Sequence, residues 1–171
     1  RTITSFDPSE LAVRIAGEVA DFDASDLLGA KTARQASRFV QFASVAADEA
    51  LRDAGVSESP FAEHCGCLIG VAIGGLGEIE ASAVLLHERD ASRISPLTLP
   101  YAIPNMASGF VSIHFGLTGP NFSIATACAS GTHALGEAAR LIRDGDTDLM
   151  LAGGAEAAIC PLSIASFAKM R

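Results

Sequence analysis

The stretch NFSIATACASG, residues 121–131, places a thiol between a strand-like run and the start of a helix. Residues 121–125 alternate in the manner of a β-strand. From Gly131 to Arg143 the apolar residues recur at helical spacing and predict a helix. Its inward-facing side chains are predicted to be Ala134, Leu135, Ala138, Ala139, Leu141 and Ile142. Cys128 therefore lies where a strand ends and a helix begins.

Two interpretations of Cys128 follow from that position. At a helix start, unpaired N–H groups and the positive end of the helix dipole stabilise a thiolate. The small neighbours Ala127, Ala129 and Ser130 leave room for a substrate, so Cys128 is a candidate nucleophile. The alternative is a structural cysteine, because free cysteines are usually buried and behave as small hydrophobes.

The other three cysteines are interpreted as core residues. Cys65, Cys67 and Cys160 each lie in or beside an apolar run. The single residue between Cys65 and Cys67 does not match a zinc knuckle or a thioredoxin-like redox pair, so no metal site is expected. Four cysteines at irregular spacing favour a reducing compartment, and we expect the cytoplasm.

Composition excludes several classes of protein. The chain has 171 residues, 49% of them hydrophobic and 19% charged, which suits one domain with a substantial core. A formal net charge of −8 argues against a general nucleic-acid binder. No apolar stretch has the length of a membrane span, and the N-terminus lacks a signal-peptide layout. Because the chain does not begin with Met and ends without a helix stop signal, we expect a piece of a longer protein.

Strand-like and helix-like segments alternate along the chain. Strands are predicted at residues 67–73, 121–125 and 148–154. Helices are predicted from about residue 7 and at 32–54, 78–89, 105–115 and 131–143, with an irregular segment at 95–104. Such alternation predicts an α/β protein with a parallel sheet. Gly136 costs the last of these helices about 1 kcal/mol relative to alanine, so we expect that helix to be packed closely on several faces.

The glycine-rich run at residues 70–77 ends a predicted strand and precedes a helix. It lacks the Lys-Ser/Thr ending of a P-loop and the spacing of a dinucleotide fingerprint. We therefore expect no nucleotide cofactor, and we interpret the run as a tight turn that admits a thin substrate beside Ile73.

Several motifs resemble those of the β-ketoacyl-acyl-carrier-protein synthases, in particular the type II elongating enzymes. These motifs are ATACASGTH (125–133), GDTDLMLAGGAE (145–156), IGGLG (73–77), ISP (94–96) and PNM (104–106). The resemblance covers essentially the whole chain. It implies a thiolase-like layered α-β-α-β-α fold, of which residues 1–171 would be most of the N-terminal half, lacking the first strand.

The resemblance also implies a reaction. Cys128 would accept an acyl group from an acyl carrier protein or coenzyme A as a thioester. Malonyl-acyl carrier protein would lose carbon dioxide, and the carbanion equivalent would attack that thioester to give a 3-oxoacyl product. The N–H of Cys128 would form half of the oxyanion hole. Two catalytic histidines and a lysine would follow Arg171, so the isolated 171 residues are expected to be inactive.

Binding residues and partners are implied in the same way. Ile73 would line the acyl-chain pocket, and Thr98, Leu99 and Ile103 would close the pocket of the second subunit of a homodimer. Lys31, Arg34 and Arg93 match positions that present positive charge to the acidic carrier protein. Gln35 and Ser92 are neutral where relatives often carry positive charge, and Thr98 replaces a frequent aromatic residue. The alternative interpretation of the three basic residues is ordinary solvated charge.

Two other functions fit some of the same residues. A thiolase shares the sequence around Cys128 but not the surrounding motifs. A non-catalytic partner that only sets chain length would typically lack the cysteine. None of His64, His87, His114 and His133 matches a catalytic histidine. Five residues after Cys128, His133 points about 140° away round the helix, and we interpret it as structural.

Overall fold

Three parallel strands form the sheet of this protein, which a computed structural model describes over residues 1–56 and 62–170. The strands are β1 (Cys65–Gly70), β2 (Asn121–Phe122) and β3 (Leu149–Gly154). They pair in the order β2-β1-β3, with Cys67 opposite both Asn121 and Leu151. Neighbouring parallel strands need long crossovers, and the segments between them contain four of the eight α-helices of the described residues.

The described residues contain α1 (Ser25–Leu28), α2 (Ala30–Gln35), α3 (Arg38–Asp53), α4 (Leu76–Glu88), α5 (Thr98–Ala102), α6 (Met106–Phe115), α7 (Ser130–Asp144) and α8 (Pro161–Lys169). Short 3₁₀ helices occupy Ala62–His64 and Ala91–Arg93. No helix among these is both long enough and apolar enough to cross a membrane.

Alternate residues of β1 face two different helical layers. Cys65, Cys67 and Ile69 pack in one cluster with residues of α3 and α6. Leu68 faces the opposite side, where it packs against Ala134 and other residues of α7. This is the period of two expected of a strand buried on both faces. The predicted α/β class with a parallel sheet is confirmed, and three successive layers (helix, sheet, helix) are present.

The predicted single helix at residues 32–54 is two helices. The backbone is extended at Ala36 and Ser37, between α2 and α3. The Ser37 hydroxyl donates to the carbonyl of Tyr101 at 2.7 Å. The side-chain amide of Gln41 donates to the carbonyls of Ala33 and Ala36 at 2.8 Å each, which satisfies the end of α2. These tertiary bonds stabilise a break that the apolar periodicity does not reveal.

The predicted strand at 121–125 keeps regular pairing only at Asn121 and Phe122. The hydroxyl of Ser108, on α6, lies between β1 and β2. It accepts from the N–H of Ile69 and donates to the carbonyl of Phe122, each at 2.8 Å. One step on, the Ser123 hydroxyl donates to the carbonyl of Ile69 at 2.6 Å. Two serine hydroxyls thus replace ladder bonds, and the chain leaves β1 before it reaches Cys128.

Of the six side chains of α7 that were predicted to face inward, only half are buried. Ala134, Ala138 and Leu141 are buried, whereas 57% of Leu135 and 43% of Ile142 are exposed, and Ala139 is exposed as well. A Cβ on Gly136 would meet nothing within 4 Å. Within the described residues, α7 is therefore packed on one face, and close packing does not explain Gly136.

The helix predicted from about residue 7 is wrong. Instead, the N-terminal residues fold back in an antiparallel arrangement, with Thr2 bridged to Ile15 and the N–H of Ile3 bonded to Arg14. The carboxylate of Glu18 accepts from the backbone N–H groups of Thr4 and Ser5 at 3.0 Å, and from both hydroxyls at 2.8 and 2.7 Å. Side-chain contacts across this turn therefore outweigh the local signal of a helix start.

These bonds predict acid sensitivity of the N-terminal turn. Hydrogen bonds from the Ser5 hydroxyl and backbone, followed by those from Thr4, lower the pKa of Glu18 from 4.5 to about 2. A lowered folded-state pKa stabilises the fold above the unfolded pKa, and that contribution disappears as the pH falls towards 2. The melting temperature of Glu18→Gln should therefore lie below that of the wild type at pH 7 and converge with it between pH 4.5 and 2. Glu10→Gln, at an exposed position in the same segment, is the control, and a gap independent of pH would contradict the prediction.

Candidate active site

The carboxyl ends of the strands and the first turn of α7 meet without intervening side chains. A Cβ on Gly70, the last residue of β1, would lie 2.2 Å from the carbonyl oxygen of Ser130 and 2.9 Å from the nitrogen of Gly131. A Cβ on Gly154, at the end of β3, would lie 3.0 Å from the Cα of Gly131. Glycine at these positions lets the N-terminus of α7 rest directly on the edge of the sheet.

Cys128 occupies a tight turn two residues before α7. Its predecessor Ala127 has φ = 51°, a left-handed conformation that is uncommon for a residue with a Cβ. Ser130 fixes this turn, since its hydroxyl accepts from the N–H of Thr126 at 2.9 Å and donates to the carbonyl of Ala127 at 2.7 Å. The two hydrogen bonds of Ser130 thus hold Ala127 in a backbone conformation that is unfavourable for alanine.

The turn presents both the thiol and the N–H of Cys128. The residue is exposed. The backbone bonds of the turn use the N–H groups of Ala129 and Ser130, at 3.1 Å each. Within residues 1–56 and 62–170, nothing accepts from the N–H of Cys128. The site therefore offers an exposed thiol near the positive end of α7 and, beside it, an N–H group that could donate to an oxyanion.

The remaining cysteines are buried, as predicted. Cys65 and Cys67 have no exposed surface, and 6% of Cys160 is exposed. Burial raises the pKa of all three thiols, and that of Cys67 to about 12. A raised pKa keeps a thiol protonated and unreactive near neutral pH.

This contrast predicts selective alkylation. Iodoacetamide at pH 7.5 should modify Cys128 at least about a hundredfold faster than any other cysteine, because the others react only when the core opens. Mass spectrometry of tryptic peptides measures the four rates. Guanidinium-unfolded protein, in which all four cysteines should react at similar rates, is the control. A Cys160 as reactive as Cys128 in the folded protein would contradict the prediction.

The predicted pocket residues fall into two connected segments. Ile73 lies in the turn after β1 and is 37% exposed. Leu99 on α5 is 71% exposed and Ile103, just after α5, is 46% exposed, whereas Thr98 is half-buried with its hydroxyl 3.3 Å from that of Ser82. The N–H of Gly75 donates to Ala102 at 2.9 Å, so the turn and α5 are in direct contact.

The three basic residues predicted to dock a carrier protein are all exposed. Lys31 and Arg34 lie three residues apart on α2 and so share a face. Arg93 ends the 3₁₀ helix that contacts α4. Their joint role as a docking site stays a prediction.

All four histidines are exposed, and none lies in the turn that contains Cys128. His64 is exposed, with its Nδ1 3.8 Å from Asp148. His114 stacks on Phe110 with ring centroids 6.4 Å apart. His87 and His133 are exposed on α4 and α7.

Glu156 is a residue to which sequence reasoning assigned no role. It lies two residues beyond β3, at the same edge of the sheet as Ile73 and Cys128. Its carboxylate accepts hydrogen bonds from the N–H groups of Ala72 and Ile73 at 3.1 and 2.7 Å. A signal was available in the sequence. Glu156 follows the predicted strand at 148–154, and the glycine-rich turn follows the predicted strand at 67–73, so parallel pairing of the two strands would place both at the same edge of the sheet.

Comparison with known proteins assigns the chain to a family. The family described as "Beta-ketoacyl synthase, N-terminal domain" matches residues 2–171. The chain is 45% identical over 170 residues to the 3-oxoacyl-[acyl-carrier-protein] synthase 2 of Synechocystis sp., covering 99% of this chain and 41% of that protein. It is 45% identical over 172 residues to the Coxiella burnetii protein of the same name, covering 100% and 42%.

A solved structure agrees with the sequence comparisons. The ishigamide ketosynthase/chain length factor superposes with a TM-score of 0.88 at 26% identity, over 99% of this chain and 43% of that one. The thiolase-like fold predicted from the motifs is therefore confirmed. The chain spans about two fifths of the length of the relatives it matches, and it belongs to the β-ketoacyl synthase family, matching its N-terminal domain.

Proposed function

We propose that the full-length protein is a 3-oxoacyl-acyl-carrier-protein synthase in which Cys128 is the nucleophile. The Cys128 thiolate attacks an acyl thioester, the bond from the acyl carbon to the carrier sulfur breaks, and the carrier thiol leaves with a proton. Malonyl-acyl carrier protein then loses carbon dioxide, and its carbanion equivalent forms a carbon–carbon bond to the acyl group while the bond to Cys128 breaks. The exposed thiol in the strained turn before α7 is the observation that carries this proposal.

The free N–H of Cys128 supports the same chemistry. Both the acylation and the condensation pass through a tetrahedral oxyanion on the carbon attached to Cys128. A donor on the nucleophile's own backbone lies next to that oxygen in both steps, and each such donor is typically worth about 10²–10³ in rate.

The acyl chain is proposed to extend past Ile73. Thr98, Leu99 and Ile103 are proposed to complete the pocket of a partner subunit in a homodimer, which would cover the exposed side chains of Leu99 and Ile103. The outer edge of β2, an edge strand of the described sheet, is the proposed contact between the two subunits.

The proposed partner is an acyl carrier protein. Lys31, Arg34 and Arg93 are exposed cations in a chain of net charge −8, and none forms an ion pair within the part of the chain that the structure describes. Free cations of this kind would steer an acidic protein towards the site. We place the protein in the reducing cytoplasm, since all four cysteines are free. No cofactor enters the proposed reaction.

Transfer of an acyl group to Cys128 tests the proposal. The full-length protein is incubated with acyl-acyl carrier protein, and intact-mass and peptide analysis should show one acyl group per chain, on Cys128. Addition of malonyl-acyl carrier protein should then release the group as a 3-oxoacyl product. Absence of a Cys128 adduct with every acyl donor would refute the proposal.

A second candidate function is a non-catalytic partner that sets chain length. One solved structure to which the chain is similar is described as a ketosynthase/chain length factor. The same experiment separates the two, because a passive partner forms no adduct at Cys128. The thiolase alternative has no such support, since the matching family and both relatives are synthases.

A further inference from the structure

One carboxylate holds the whole turn that follows β1. Glu156 Oε2 accepts from the backbone N–H groups of Ala72 and Ile73 at 3.1 and 2.7 Å, and its Oε1 accepts from Gly74 at 3.2 Å. Oε1 also accepts from the N–H of Ala157 at 3.1 Å, which ties the carboxylate to the segment that follows β3. Three consecutive amides therefore converge on a residue more than 80 positions away in the sequence.

The turn needs such an acceptor because it has left the sheet. The N–H of Val71 still bonds to Ile124 at 3.1 Å, and Gly70 still accepts from Ala155 at 3.0 Å. Beyond Val71, no strand among residues 1–56 and 62–170 pairs with the chain. Consecutive N–H groups that point the same way form a concave site for an anion. A carboxylate makes charge-assisted bonds there, which are about twice as strong as neutral ones.

The far side of the same turn is attached to α5. Gly74 has φ = 75°, and the N–H of Gly75 donates to the carbonyl of Ala102 at 2.9 Å. A Cβ on Gly75 would lie 2.5 Å from the Cα of Ala102, so the two segments are in close contact. Ile73 is thus fixed between Glu156 on one side and the end of α5, next to Ile103, on the other.

We propose that Glu156 is a positioning residue that sets the location of Ile73 and thereby the acyl-chain selectivity of the enzyme. The proposal rests on the function proposed above. Glu156 touches no reacting atom in this scheme. It acts through the backbone of the turn, so that a shift of this turn moves the Ile73 side chain along the path of the acyl chain.

Glu156→Gln in the full-length protein tests the proposal. Glutamine has the same shape but keeps only one acceptor oxygen, so its amide group must face either the Gly74 N–H or the pair from Ala72 and Ile73. Hydrogen exchange of the peptide covering residues 72–77 should become faster by on the order of tenfold. The ratio of kcat/KM for a long acyl donor to that for a short one should change by about threefold or more.

The matched control is Glu49→Gln, which removes the same charge at an exposed position on α3. It should alter neither the exchange nor the selectivity ratio. Unchanged exchange in Glu156→Gln overturns the inference, and so does faster exchange with an equal loss for every acyl donor, which a merely structural role would give. If the wild type forms no Cys128 adduct, the proposed function fails instead, which the adduct measurement shows separately.

Discussion

Replacement of Cys128 by alanine in the full-length protein is expected to abolish condensation, with kcat falling by about 10⁴–10⁶-fold. Removing single members of a hydrolase's catalytic triad lowers kcat by amounts of this order. The physical reason is that alanine offers no atom to carry the acyl group between the two half-reactions. Steady-state formation of the 3-oxoacyl product measures the loss of condensation. Intact-mass analysis measures independently the loss of the acyl adduct.

The same substitution should leave the fold intact. Cys128 is exposed, so its sulfur contributes little buried surface. We expect the melting temperature of Cys128→Ala to stay within about 2 °C of the wild type. Cys128→Ser, which puts a less nucleophilic hydroxyl in place of the thiol, is the matched variant and should also be severely impaired. Wild-type turnover by Cys128→Ala would remove this residue from the mechanism and contradict the proposed function.

Gly70→Ala should be the most destabilising single methyl addition at this site. The new Cβ would lie 2.2 and 2.4 Å from the carbonyl oxygen and carbon of Ser130. Those are backbone atoms in the first turn of α7, so they can move away only if the helix lifts off the sheet. Overpacking of this kind costs about 3 kcal/mol or more. Thermal unfolding should show a melting temperature lower by about 6–12 °C.

Gly136→Ala is the control for that experiment. Gly136 lies in α7 itself, and a Cβ there meets nothing within 4 Å. Alanine in an unobstructed helix interior should raise the stability by about 0.5–1 kcal/mol. The two variants carry the same chemical change, so opposite signs isolate the contact between α7 and the end of β1. Equal melting temperatures for Gly70→Ala and the wild type would contradict the packing described here.

Local sequence signals predicted the regular elements well where no side chain intervened. The helix predicted at 105–115 and the strand at 148–154 lie within one residue of α6 and β3. Two of the errors occur where a polar side chain from elsewhere takes a backbone partner. Ser108 replaces ladder bonds at Ile69 and Phe122, and Gln41 caps α2. Helix α8 was missed although Pro161, its first residue, is a helix-start signal.

The candidate site likewise has features that the sequence predicted and one that only the structure shows. The position of Cys128 before a helix was evident from the residue pattern, and so was the burial of Cys65 and Cys67. The contact between Glu156 and Ile73 was not, because those two residues are 83 positions apart. No periodicity or local motif connects residues at that separation.

By itself, the sequence determined the α/β class and the family and singled out Cys128 as the candidate nucleophile, because each depends on local pattern or on motifs of contiguous residues. Only the tertiary structure decided how the thiol is presented. The left-handed Ala127, the Ser130 hydroxyl and the contact of Gly70 with α7 are products of chain segments brought together by burial of the sheet. Hydrogen bonds and close contacts of that kind depend on three-dimensional proximity, which the folded core alone creates.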